Sequence, residues 1–196
     1  MSLEERKEKL RDELERRRRG LDAATVARAA AEAVKRLEAI EALRSAATVA
    51  GYWPIDGELD LRDFLRRIRE EGKNVCLPRR RPGNATLEYE LAEPERNAES
   101  LDGALGKGGF GVMEPVGGRI VDAADVDAWL VPGVGFDRAG NRLGRGGGVY
   151  DSLLDGAPGL KIGVGYGCQL VDEIPAGERD RKMDAIVTEK ETIWIG

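Results

Sequence analysis

Apolar positions in the first part of the chain recur at helical spacing. Leu3, Leu10 and Leu14 mark a thin stripe on a heavily charged segment that runs to about Arg19, where Gly20 is placed to end a helix. Asp22 then offers a cap for a second helix, predicted to run to about Leu43 with Val26, Ala30, Ala33, Leu37, Ile40 and Leu43 near one face. The period changes after that point. β-Branched and aromatic residues at 48–53, stopped by Pro54, predict a strand, and a turn follows at Asp56-Gly57. Asp60 is placed to cap a short helix with Leu61, Phe64, Leu65 and Ile68 on its buried face, closed by Gly72. Residues 74–77, 128–131, 162–166, 185–188 and 192–195 read as further strands. Between Pro78 and Pro115 the chain is polar and glycine-rich, with one alternating stretch at 86–91 that predicts a half-exposed strand. Alternation of strand, helix and strand predicts an α/β fold. We expect a three-layer α-β-α sandwich around a mostly parallel sheet, with helices at the N-terminus.

A length of 196 residues suits one domain with a substantial core, and 26 glycines place much of the backbone in loops and turns. The formal net charge of -5 argues against a general nucleic-acid binder. The dense run Arg16-Arg17-Arg18-Arg19 follows Glu13 and Glu15 on the first helix and reads as a solvated face, the other reading being a contribution to an anion site. Charge throughout the N-terminal segment and the lack of any 18-residue apolar window predict no signal peptide and no membrane span. Cys76 and Cys168 lie far apart without zinc-type spacing, so a reduced, cytoplasmic setting is expected, with Cys76 a small core residue in its apolar run. Histidine is absent, which removes Ser-His-Asp and Cys-His catalysis and histidine-ligated metals in one step.

Candidate chemistry concentrates in Arg142-Leu143-Gly144-Arg145-Gly146-Gly147-Gly148-Val149-Tyr150-Asp151, between a strand ending at Pro132 and a short predicted helix through Leu154. Glycines let backbone N–H groups approach an anion, and a helix N-terminus following them adds a positive dipole end. Arg142 and Arg145 would add charge-assisted donors for phosphate oxygens, and Asp151 could hold a hard divalent cation. The segment is neither a Walker motif nor a Rossmann fingerprint. By glycine content alone it reads equally as a surface loop.

Residues 131–151, VPGVGFDRAGNRLGRGGGVYD, resemble the signature of 5-formyltetrahydrofolate cyclo-ligases, in which VPG, FD, G-x-RLG-x-G-x-G and an aromatic-Asp pair follow in that order. Further segments match in the family's order: Lys7-Glu8-Lys9-Leu10-Arg11, Gly51-Tyr52-Trp53-Pro54 with Gly57-Glu58, and Leu77-Pro78-Arg79. Phe110-Gly111 through Glu114-Pro115, residues 163–169, Ile174-Pro175, Asp180 and the stretch 184–189 complete the set. The resemblance implies ATP-dependent closure of 5-formyltetrahydrofolate to 5,10-methenyltetrahydrofolate, with release of ADP and phosphate. It implies that the γ-phosphoryl group passes to the formyl oxygen and that N10 attacks the activated carbon, chemistry that asks mainly for positioning and charge neutralisation.

Carried over residue by residue, the resemblance implies ATP contacts from Lys7, Glu8, Lys9, Leu10 and Arg11 and from the loop Arg142, Leu143, Gly144, Arg145, Gly146, Gly147, Gly148, Val149 and Tyr150. It implies folate contacts from Trp53, Glu58, Arg145, Gly146, Gly147, Gly148 and Val149, catalytic positions at Arg145 and Tyr150, and Mg²⁺ held by Asp151 and Asp180. By spacing alone, Lys7 and Arg11 read as a surface pair one turn apart, and only the resemblance reverses that reading. The chain departs from the family where Tyr-Tyr-Asp-Arg becomes Val149-Tyr150-Asp151-Ser152 and where His-Asp becomes Arg179-Asp180. Two readings follow: a monomeric enzyme acting on ATP and 5-formyltetrahydrofolate, without nucleic-acid or membrane partners, or a cyclo-ligase-like nucleotide- or phosphate-binding protein with lost or altered folate chemistry.

Overall fold

A computed structural model of the protein describes residues 2–81, 88–108, 112–177 and 180–196. The charged N-terminal stripe forms α1 (Leu3–Arg19), opened by a reciprocal capping box between Ser2 and Glu5. Helix α2 (Ala23–Glu38) begins as expected, with the Asp22 carboxylate accepting the Thr25 N–H at 2.7 Å. It does not reach Leu43. Ile40 adopts extended backbone, and a separate α3 (Glu41–Ser45) follows, so that the chain turns while Leu37, Ile40 and Leu43 all stay buried.

Strand β1 (Thr48–Ala50) is shorter than the predicted 48–53. Gly51 still donates to the Cys76 carbonyl, but Tyr52 then leaves the ladder and places its hydroxyl 2.5 Å from the Leu59 carbonyl oxygen. In α4 (Arg62–Glu70) the N-cap position falls on Leu61 rather than Asp60, whose carboxylate instead accepts the Arg62 N–H and grips the Arg62 guanidinium. Phe64, Leu65 and Ile68 form its buried face, and Gly72, at φ +99°, closes it as expected.

β2 (Asn74–Arg80) runs three residues beyond prediction because it pairs with β3 (Tyr89–Glu93), the observed form of the strand expected at 86–91. Residues 86 and 87 of that expectation lie outside the described residues. Strands β4 (Leu105–Lys107), β5 (Met113–Pro115) and β6 (Arg119–Val121) follow, each too short to leave a period in the sequence. Then come β7 (Ala128–Pro132), β8 (Gly135–Asp137), β9 (Arg142–Leu143), α5 (Val149–Leu153), β10 (Leu160–Val164), β11 (Leu170–Val171), β12 (Ala185–Val187) and β13 (Thr192–Trp194). β10 starts two residues earlier than predicted because Leu160 pairs with Ala128 at the start of β7.

Eight strands form one sheet in the order β13-β12-β10-β7-β1-β2-β3-β6, with β2, β1, β7, β10 and β12 parallel. The parallel strands, renumbered along the chain, give the doubly wound order 2-1-3-4-5. Strand order reverses between β1 and β7, which places a crevice beyond their carboxyl ends.

Alternation along each strand separates two cores. Val49, Val75, Leu77, Ala128, Leu130, Ile162 and Val187 face α2, α3 and α4. Ala50, Cys76, Trp129, Val131 and Ile186 face a thinner layer made by Leu153 and Leu154 at α5, together with Phe136 and Met183. A Cβ at Gly163 would lie 2.6 Å from the Phe136 ring, so glycine there is what lets β8 fold back onto the sheet. Cys76 is buried as expected, and burial pushes its thiol up to about 12. Both cysteines are free. Helix α1 belongs to neither layer: Leu14, with Leu10 beside it, packs on Val134, Leu143 and Ile174 over the small sheet β11-β8-β9. Among the described residues no helix is long and apolar enough to cross a membrane.

Candidate active site

The inward face of α1 is set by the position of Leu14, which is fully buried. Stepping from it by three and four residues gives Arg11, Lys7 and Arg18, so the helix turns cations toward the strand ends on the same face as its anchor. Lys7 is buried and its Nζ lies 2.7 Å from Asp180 Oδ2, an oxygen that also accepts the Gly177 N–H at 2.6 Å. Burial works to raise the Asp180 carboxyl, and the Lys7 ammonium with the Gly177 N–H outweighs it, leaving the group below its ordinary value. Arg11 Nε donates to the Gly144 carbonyl at 2.9 Å. Leu10 is half-buried against the small sheet, whereas Glu8 and Lys9 are exposed.

The arginine run at the end of α1 is only partly a solvated face. Arg17 pairs with Glu13 and Arg19 with Glu15 at the surface, but Arg18 is only 4% exposed. Helical phase separates them: Arg18 lies four residues beyond Leu14, and its neighbours point elsewhere.

Residues 142–151 leave the end of β9 and enter α5. Arg142 is buried, with Nη1 3.3 Å from the Pro132 carbonyl oxygen and Nη2 3.0 Å from Asp151 Oδ1, and its guanidinium stands 5.5 Å from the Tyr150 ring centroid. Its Nε is buried and has no hydrogen-bond partner. Its charge also acts on Asp180, the other carboxylate named as a metal ligand. Leu143 is core, and Gly146 and Gly148 hold φ +92° and +65°, which a side chain would strain. Helix α5 has only five residues, so its dipole is small. The expected helix-terminus contribution is therefore minor, and side-chain cations carry the attraction for anions. Val149 packs against the second core and Tyr150 against both, and burial raises the Tyr150 hydroxyl, which keeps its proton.

Arg145 joins this loop to the turn after β1. Its Nη1 lies 2.6 Å from Asp56 Oδ2 and its Nε 3.4 Å from Glu58 Oε1. Glu58 is 9% exposed, and its Oε2 accepts the Ile55 N–H at 3.1 Å. Burial raises its carboxyl, and the Ile55 N–H, Arg145 and Arg18 counter that in part. Two tyrosines absent from the predicted site brace the turn: Tyr52 through the Leu59 carbonyl and Tyr166, more loosely at 3.5 Å, through that of Glu58. Trp53 is held differently, half-buried against the first core with the Arg62 and Arg66 guanidinium groups 6.0 and 5.8 Å from its ring centroid.

Gln169 is a further positioning residue that no spacing in the sequence marks. Its Nε2 donates to the Gly133 and Val134 carbonyls at 2.7 and 2.9 Å, and its Oε1 accepts the Tyr166 N–H at 2.8 Å. It thereby ties the turn after β7 to the turn after β10. Phe110, Gly111 and Arg179 lie outside the described residues. Among the described residues no group of three or more Asp, Glu, Cys or His side chains could hold a metal. Asp151 and Asp180 carry hard oxygen donors of the kind that suits Mg²⁺.

Buried cations interleaved with carboxylates, beyond the carboxyl ends of parallel strands at a topological switch point, define a doubly wound α/β enzyme. Residues 3–189 match the model of the 5-formyltetrahydrofolate cyclo-ligase family, and the chain belongs to that family. It is 30% identical over 191 residues to the 5-formyltetrahydrofolate cyclo-ligase of Escherichia coli strain K12, covering 92% of this chain and 98% of that one. It is 35% identical over 180 residues to the Mycolicibacterium smegmatis 5-formyltetrahydrofolate cyclo-ligase, covering 85% and 89%. The NMR structure of Aquifex aeolicus 5,10-methenyltetrahydrofolate synthetase superposes with a TM-score of 0.83 at 35% identity, over 96% of this chain and 92% of that one.

Proposed function

We propose that the protein closes 5-formyltetrahydrofolate to 5,10-methenyltetrahydrofolate at the expense of ATP. The observation that carries this reading is Arg145, which stands in the glycine-rich loop and reaches Glu58. Phosphate-directed and folate-directed elements thus meet at one side chain, where a phosphoryl group must meet a formyl oxygen. The formyl oxygen takes the γ-phosphoryl group and ADP leaves. N10 then adds to the activated carbon, and the oxygen departs with phosphate as N10 gives up its proton.

Lys7, Arg11 and Arg142 would bind phosphate oxygens, exchanging carboxylate and carbonyl partners for a more highly charged acceptor. Arg145 would neutralise charge on the transferring group, and Glu58 would accept pterin N–H groups. Tyr150, kept protonated by burial, would serve as a donor at the reacting end. Asp151 and Asp180 would hold Mg²⁺, which supplies charge neutralisation on the phosphates. The Glu58 carboxylate is covered by Arg145 itself, through a 3.4 Å contact that is long for an ion-pair hydrogen bond. Purified protein given Mg-ATP and 5-formyltetrahydrofolate is expected to form the methenyl product, read by its near-ultraviolet absorbance. Folded protein that forms none overturns the reading.

A further inference from the structure

Arg18 is the most deeply buried cation on α1 and the worst provided for. It is 4% exposed, its Nε is buried without a partner, and it forms no hydrogen bond or ion pair with any described residue. Other arginines of this chain that act as props are bonded to carbonyls, as Arg36 is to Glu189 and Arg69 to Glu95. A guanidinium N–H buried without such a partner is destabilising, because its lost hydration is not replaced. Retention of one beside a site points to a partner that arrives with the ligand.

Its position says which ligand. Seven residues of helix separate Arg18 from Arg11, a rise of about 10 Å. Arg11 touches the phosphate-directed loop at Gly144, so Arg18 lies further along the site. There its charge acts on Tyr166, Cys168 and Glu58, and Tyr166 itself reaches Glu58, its hydroxyl 3.5 Å from the Glu58 carbonyl oxygen. Glu58 is the acceptor assigned to the pterin. The lactam edge of a pterin presents a carbonyl oxygen next to a ring N–H, so its complement is a donor beside an acceptor. A guanidinium next to a carboxylate supplies that pair.

We propose that Arg18 is a further folate-binding residue, its guanidinium donating to the lactam carbonyl oxygen of the pterin while Glu58 accepts the neighbouring N–H. The inference rests on the cyclo-ligase reading. Its test uses the full chain carrying Arg18→Met, which keeps the side-chain volume, and Arg18→Lys, which keeps the charge.

Arg18→Met is expected to raise KM for 5-formyltetrahydrofolate roughly tenfold or more, with KM for ATP within about twofold of wild type, and Arg18→Lys to recover part of the loss. Thermal melting should show Arg18→Met at least as stable as wild type, since it removes a buried N–H that has no partner. Binding to ATP-free protein, followed by tryptophan fluorescence, should show wild type favouring the lactam over an analogue with an amino group in place of the oxygen, and Arg18→Met losing that preference. An unchanged folate KM, a lower melting temperature, or a preference that survives substitution overturns the proposal. So does loss of discrimination against a folate lacking its glutamate, which would place Arg18 at the tail. Wild-type protein that makes no methenyl product would fail the cyclo-ligase reading instead, a separate outcome.

Discussion

Replacing Lys7 with methionine keeps most of the side-chain length and removes its charge. The Lys7–Asp180 pair is 2.7 Å long with side chains 10% and 22% exposed, and the Gly177 N–H is the other donor to the same oxygen. Lys7→Met therefore leaves a largely buried carboxylate with one backbone donor, a loss of about 1–3 kcal/mol. Asp180 is held below its usual 3.8 although burial pushes it the other way. A carboxyl depressed by folding contributes stability that is present above its unfolded value and lost as pH falls through its folded value. The stability gap between wild type and Lys7→Met should thus be full above about pH 4 and shrink below it. Urea unfolding across about pH 3 to 7 measures the gap directly. A gap that is constant with pH, or that widens in acid, refutes the reasoning. In turnover, KM for ATP should rise roughly tenfold to a hundredfold, the cost of one charge-assisted phosphate contact, with folate affinity in the absence of ATP unchanged. An equal loss of folate affinity would contradict the placement of Lys7 at the phosphates.

Two further substitutions separate chemistry from folding. Asp151→Asn should lower kcat by roughly a hundredfold or more while the circular dichroism spectrum stays that of wild type and the melting temperature falls modestly, since the amide oxygen can still accept from the buried Arg142; unchanged turnover would remove Asp151 from the metal site. Glu58→Gln should weaken folate binding and also raise stability at neutral pH. The raised Glu58 carboxyl favours the fold in acid and disfavours it as pH climbs through its folded value, so the variant should gain on wild type between acid and neutral pH in thermal melts. A variant that loses stability at neutral pH would show that burial is not what dominates at Glu58.

Much of the sheet was readable because its strands are apolar runs buried on both faces, as at 128–131, where all of the predicted residues are buried. Strand ends were less so, since register with a neighbour sets them: nothing within residues 160 and 161 announces that Leu160 will pair with Ala128. Strands of two or three residues, such as β9 and β11, are shorter than any period. The loop at 142–151 advertised an anion site through its glycines and arginines, but its link to Glu58 depends on a long-range contact through Arg145. Arg18 was hidden in a run of like residues, where composition reads as solvent. The signal that could have found it is phase, because Lys7, Arg11, Leu14 and Arg18 share one face and Leu14 is apolar.

The charges of the site are arranged for exchange. Lys7 rests on Asp180, Arg142 on Asp151, and Arg145 on Asp56 and Glu58, so three cations are held in place by carboxylates. Such pairing lowers the cost of burying each group and fixes the geometry that a triphosphate would meet. On the cyclo-ligase reading, a bound triphosphate would replace carboxylate partners with phosphate oxygens, and Asp151 and Asp180 would be released to face a divalent cation. The Nε atoms of Arg142 and Arg18 stand outside this exchange, buried and without hydrogen-bond partners. For these two atoms an acceptor brought by a ligand would add a hydrogen bond without breaking one. It follows that more binding energy should be drawn from Arg18, which gives up no partner, than from Lys7, whose new contact is gained only by giving up an old one.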